Sequence, residues 1–151
     1  MTRWLAAALL LAASTAADAA CTVSASGVAF GVYITTSTTP TDFTGTVQIT
    51  FGKKSGDGSY RIALSRGGAA SYATRRMIFG GFTLPYQLYT DAAHTRIWGD
   101  VSSGVFVVTG TDDIPKKGGT STYQVYGRIA ARQNARPGGG YLDTIVATLT
   151  Y

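Results

Sequence analysis

Glutamate is absent from this sequence altogether, cysteine and histidine each occur once, and charged residues make up only 14% of it. Solvated helices lean on Glu, Lys, Ala and Leu, so a chain without Glu is poorly supplied for them. One Cys and one His cannot complete a tetrahedral zinc site without carboxylates. Asp112-Asp113 lacks the alternate ligand spacing of a calcium loop and reads as a turn. "GKKSGDG" (52–58) lacks the spacing of a phosphate loop. His94 has Asp91 three residues before it and no Gly-x-Ser-x-Gly elbow nearby. It reads as half of a polar loop pair rather than as a general base. No catalytic residue, metal or cofactor is expected, and the sole His and missing Glu argue against an enzyme.

Long apolar runs are scarce as well. The one clear case is Trp4 to Ala13, preceded by Arg3 and followed by the small-x-small triplet Ala17-Asp18-Ala19. That is the layout of a secretory signal, and about ten residues fall short of the ~20 that cross a bilayer. Residues 1–19 are therefore expected to be a removed signal peptide, with no membrane span, leaving one domain over 20–151. The net charge of +5 is spread in pairs such as Arg75-Arg76 and Lys116-Lys117. A nucleic-acid surface gathers its basic residues on one face beside aromatics, so export and scatter together speak against that partner. Arg128, Arg132 and Arg136 share a four-residue spacing, but they follow a strand pattern and run into "PGGG", which suits a solvated loop.

What the chain does have is Thr, Tyr and 19 glycines, the stuff of pleated strands and turns. Period-two alternation predicts inward faces for Val47, Ile49 and Phe51, for Tyr60, Ile62 and Leu64, and for Leu84, Tyr86 and Leu88. Pro85 marks a strand start or an edge. "VFVV" (105–108) is a shorter candidate. Tyr123, Val125 and Ile129 share a side with Gly127 between them, and Ile145, Ala147, Leu149 and Tyr151 share another. Roughly seven short strands separated by glycine-rich breakers predict an all-β fold, a β-sandwich rather than a barrel. The last alternating strand runs to Tyr151 with nothing after it in the sequence to cover its far edge, and such an edge invites pairing with another chain.

"FGVY" (30–33), "YRIALSRG" (60–67), "RRMIFGGFTLPYQLYTDAAHTRIWGD" (75–100) and "YQVYGRIAARQNARPGGGYLDTIVATLTY" (123–151) follow one another in order. As a set they resemble the spore coat protein U domain, the subunit fold of archaic, Csu-type chaperone–usher pili. The resemblance implies an immunoglobulin-like sandwich lacking its final strand. A periplasmic chaperone first fills the gap, and after delivery to an outer-membrane usher a neighbouring pilus subunit's extension replaces it, by strand addition. By position, the groove would be lined by Val23 and Ala25 of the first strand and by Ile145, Ala147, Leu149 and Tyr151 of the last. The carboxylate of Tyr151 would be an anchor for basic residues of the chaperone. The destination would be the periplasm and then the cell surface.

Two departures from the family pattern bear on function. The family commonly pairs its early cysteine with one at the end of the second strand, and Phe51 stands in that slot, leaving Cys21 unpaired. Cleavage beside Cys21 would also leave no donor extension, so a tip or terminal subunit is expected, with an adhesive role open to it. The alternative is a self-contained secreted coat or matrix protein of the same fold that does not polymerise. Lipid attachment to Cys21 is disfavoured by Asp18 three positions before it; a free thiol and an intermolecular disulfide are both open. Phe79, Phe82 and Trp98 have two assignments at this stage, exposed binding residues or core.

Overall fold

A computed structural model of the chain describes residues 21–28, 30–52, 59–102, 104–111, 118–136 and 140–151. The expected signal peptide, Asp112-Asp113, Lys116-Lys117 and most of "GKKSGDG" lie outside the described residues. The described chain is all-β. Its strands are β1 (Thr22–Ala25), β2 (Thr41–Phe51), β3 (Ser59–Leu64), β4 (Arg76–Phe79), β5 (Phe82–Pro85), β6 (Gln87–Tyr89), β7 (Val108–Thr111), β8 (Gly119–Ile129) and β9 (Ala147–Thr150). They form a four-stranded sheet in the order β1-β2-β8-β6, a three-stranded sheet in the order β7-β3-β9, and the β4-β5 hairpin.

The alternating windows became the long central strands because each has one face to bury. β2 and β8 pair antiparallel over eleven residues, from Thr41 opposite Ile129 to Phe51 opposite Gly119. Their inward residues Val47, Ile49, Phe51, Val125 and Ile129 meet Tyr60, Ile62 and Leu64 of β3 in one core. Trp98 is wholly buried in that core, with its indole N–H donating to the Ile62 carbonyl at 2.9 Å. Gly127 has a specific reason to be glycine. A Cβ there would lie 2.8 Å from Phe30 and Val28, so the missing side chain is the space in which those two side chains pack on the sheet.

Three departures from the alternation have physical causes. "LPYQLYT" is two strands, because Pro85 ends β5 and the chain then passes through Tyr86 into β6 of the other sheet. Leu84, Tyr86 and Leu88 are nonetheless all buried. "VFVV" contributes an isolated bridge at Phe106 opposite Trp98, and β7 begins only at Val108. The β4-β5 hairpin turns on Gly80-Gly81, both at positive φ, as a two-residue hairpin loop requires.

Arg75 is no part of a surface pair, because its side chain is fully buried. Its guanidinium donates to the Ser65 carbonyl (2.7 and 3.2 Å), the Trp98 carbonyl (2.6 Å) and Gln87 Oε1 (2.9 Å), and lies over the Tyr72 ring. Burial pulls its pKa below the ordinary arginine value, yet a guanidinium stays charged in proteins. Gln87 in turn donates to the Tyr72 carbonyl at 2.7 Å. One cation thus ties the end of β3, the 3-10 turn Tyr72–Thr74, β6 and the Trp98 strand segment together. Arg75→Met would leave those acceptors dry and unpaired. A loss of about 3–5 kcal/mol is expected in denaturant unfolding, with Arg75→Lys falling between it and the wild type.

Phe51, Tyr60 and Tyr123 pack ring against ring, and the Tyr60 and Tyr123 hydroxyls hydrogen-bond. Burial, and then that bond, push the Tyr123 phenol from 10.0 up to about 12. Its folded value lies above its unfolded one, so its contribution is complete below about pH 10 and is lost as pH rises through about 12. Stability measured against pH should fall in that window, and Tyr123→Phe should flatten the fall.

Candidate functional site

β1 and β9 are the two strands with an open side that face each other across the sandwich. β1 ends the four-stranded sheet at β2, and β9 ends the three-stranded sheet at β3. The backbones of β1 and β9 approach to within 8 Å, Cα to Cα, but the two strands do not pair. Ladder geometry shows which groups face the gap. Ser26 N–H donates to the Thr46 carbonyl, so Ser24 and Thr22, two and four residues back, also turn toward β2. Val23 and Ala25 therefore aim their N–H and C=O away from β2. On the other wall, Ser65 N–H donates to the Val146 carbonyl, so Thr148 and Thr150 turn toward β3. Ala147 and Leu149 aim their backbone groups away from it.

Between these edges lies a cleft of about 400 Å³ whose mouth includes Ala25, Ile145 and Ala147 and whose floor is the core itself, at Val47, Leu64, Leu88 and Val125. It continues past Val28 and Phe30 into a second volume of about 330 Å³ that reaches Tyr33, Leu84 and Ile129. Of the six groove residues expected from sequence, the structure brings Ala25, Ile145 and Ala147 together on this cleft. Val23 and Leu149 lie further along the same edges, half-buried against the core. Tyr151 is 67% exposed and stands beyond the end of β9, because the ladder with β3 stops at Thr150.

Sequence reasoning missed the segment that holds the β9 wall in place. Asp143 accepts from the Tyr86 hydroxyl (2.8 Å), Gly68 N–H (3.0 Å) and Thr144 N–H (2.9 Å). The Ser65 hydroxyl accepts from Val146 N–H at 2.9 Å. Gly67, at φ 63, passes so close to Asp143 that a Cβ would lie 2.1 Å from its carboxylate. Burial, and then the bond to Asp143, push the Tyr86 phenol far up. The local signal was the pairing of "SRGG" with "YLDT", which no periodicity reveals.

The other residues singled out in the sequence lie elsewhere. His94 has its Nε2 3.9 Å from Asp42 and its ring edge-on to Tyr89, while Asp91 caps its own loop through Thr95 and Arg96. Asp42 is held bidentately by Arg128 at 2.6 Å, and Arg136 lies over Phe79 and Phe82. The three arginines thus form no stripe. Trp98 is core, whereas Phe82 is 47% exposed. Among the described residues no three His, Cys, Asp or Glu side chains gather, and no helix is long and apolar enough to cross a membrane.

The model of the Spore Coat Protein U domain matches residues 7–148. The chain belongs to that family. No curated protein matches it in sequence. Among solved structures, the fold is similar to that in the CsuC–CsuE chaperone–tip adhesion subunit pre-assembly complex from archaic chaperone–usher Csu pili of Acinetobacter baumannii. The TM-score is 0.56 and the identity 17%, and the match covers 87% of this chain and 39% of that one. The present chain therefore spans well under half the length of the chain it matches.

Cys21, half-buried just before β1, has no disulfide partner among the described residues. Continuing the β1–β2 register by one residue sets it opposite Phe51. Opposed Cα atoms in an antiparallel pair lie about 4.5–5.5 Å apart, inside the range a disulfide spans. Phe51→Cys should therefore form an intrachain disulfide on export, read as a 2 Da mass loss. Its oxidised form should match the wild type within about 2 kcal/mol, because the staple offsets the lost ring. Two free thiols in the folded variant would contradict the register.

Proposed function

We propose that this chain is an exported structural subunit of a surface pilus, without catalytic activity, that accepts a β-strand from another chain in the cleft between β1 and β9. A periplasmic chaperone supplies that strand first. At the outer-membrane usher a neighbouring subunit replaces it, and the product is displayed on the cell surface. The observation that carries the reading is the pair of open strand edges aimed at one gap, with core side chains lining the cleft between them. Membership of the Spore Coat Protein U domain family and the likeness of fold to a chaperone–subunit complex support it.

The magnitudes fit. A strand that buried about four apolar side chains would gain on the order of 10 kcal/mol gross, comparable to the whole stability of a domain. An empty subunit would then be marginal, which is a reason for a chaperone. A tip position, expected from a cleavage site beside Cys21, belongs to the same proposal. It means that the purified chain accepts a donor strand but does not donate one. The approach of β1 to β9 within 8 Å favours a second reading, a self-contained coat protein, which would be a stable monomer without any chaperone.

Co-expression with the chaperone of the same assembly system tests the proposal. Removing residues 147–151 should abolish co-purification. Ala25→Pro is the milder probe, because it deletes one gap-facing N–H on an exposed residue and spares the ladder to β2. It should weaken capture several-fold to tenfold. Full capture of both variants would contradict strand addition at this cleft.

A further inference from the structure

One end of the sandwich is built without a carboxylate. Past the Thr41–Ile129 end of the β2–β8 ladder, residues 30–40, residues 130–136 and the β4-β5 hairpin come together. None of the three contains an Asp or a Glu. Gln133 pins them to one another. Its backbone N–H donates to the Tyr33 hydroxyl (2.8 Å) and its side-chain amide to the Pro85 carbonyl (3.1 Å). Arg132 and Arg136 stand on either side of it, both exposed, and neither forms an ion pair among the described residues. The carboxylates next along the chain are engaged elsewhere, Asp42 by Arg128 and Asp143 by Tyr86, Gly68 and Thr144.

Arg136 lies over the Phe82 ring at 5.4 Å. A guanidinium stacked on a ring keeps the N–H groups of its own plane free for an oxyanion. On the same segments Val32, Ile34 and Phe82 are 70%, 61% and 47% exposed. A soluble polyanion would use the arginines and leave those apolar side chains in water. An anionic bilayer uses both, with phosphates for the guanidinium groups and the acyl boundary beneath them for the apolar residues. We propose that this end is an interaction surface for an anionic lipid bilayer. Arg132 and Arg136 contact headgroup phosphates, and Val32, Ile34 and Phe82 dip below them. The surface is separate from the cleft, because none of these five residues borders either of its volumes. Each arginine is expected to contribute about fivefold in affinity, and the contact weakens as salt is added.

Co-sedimentation of the full chain with vesicles tests the surface. One set is phosphatidylcholine alone, and the other includes about one-third phosphatidylglycerol to supply the negative charge. The wild type should bind the anionic set about tenfold more tightly or better. Arg132→Gln and Arg136→Gln should each lose about fivefold. Arg61→Gln, the same charge change on an exposed position of β3, should leave binding as it was. Val32→Ser/Ile34→Ser alters no charge and should still weaken binding several-fold. All of these positions are exposed or lie on loops, so circular dichroism should be unchanged. Equal binding to the two vesicle sets, or equal losses in Arg136→Gln and Arg61→Gln, would overturn the proposal. So would binding that needs the arginines, ignores Val32→Ser/Ile34→Ser and is matched by alginate, because the partner would then be an acidic polysaccharide. Chaperone capture should be the same in every variant, so failure here leaves the cleft reading standing, and failure of that reading leaves this surface standing.

Discussion

A β-strand carries hydrogen-bonding groups along both of its edges, and β1 and β9 find ladder partners along one edge each. Everything distinctive about this molecule follows from that imbalance. The ladder registers send the backbone groups of Val23, Ala25, Ala147 and Leu149 into the same gap, and the side chains of that gap open onto the core rather than onto a polar surface. Water satisfies such backbone groups but cannot cover the apolar floor. A strand added there, as proposed, would do both at once, making backbone pairing and core completion a single event.

The walls of the gap need to be held without being joined, and the buried polar contacts do this. Asp143 and Ser65 fasten the segment before β9 to the loop after β3. Arg75 joins that same loop to β6 and the Trp98 segment. On the other wall, Val28 and Phe30 are seated where Gly45 and Gly127 have no side chains. Each contact fixes one sheet relative to the loops, and none bridges β1 to β9. The aromatic packing of Phe51, Tyr60 and Tyr123 keeps the sandwich filled at the far end, so the unfilled part is local.

The sandwich was legible in the sequence because β2, β3 and β8 each bury one face, and that requirement writes itself as alternation. The hairpin around Gly80-Gly81 was less legible, since β4 and β5 alternate only over four residues each. Arg75 gave no signal, because apart from Gln87 its partners are backbone carbonyls at Ser65 and Trp98, and any residue type supplies those. The cleft was partly legible: Ala25, Ile145 and Ala147 could be placed on it by strand position, while Asp143 and Val28 join it through loops whose path no pattern encodes. Tyr151 carries the alternation one residue past the end of the ladder with β3.

Amide hydrogen exchange followed residue by residue, with and without a nine-residue peptide that alternates Val and Thr, tests the central claim most directly. In the free chain the amides of Val23, Ala25, Ala147 and Leu149 should exchange fast while those of Ser24, Ser26 and Thr148 are protected, and the peptide should protect all four. Protection of the four in the free chain, or exchange unchanged by a bound peptide, would contradict the account.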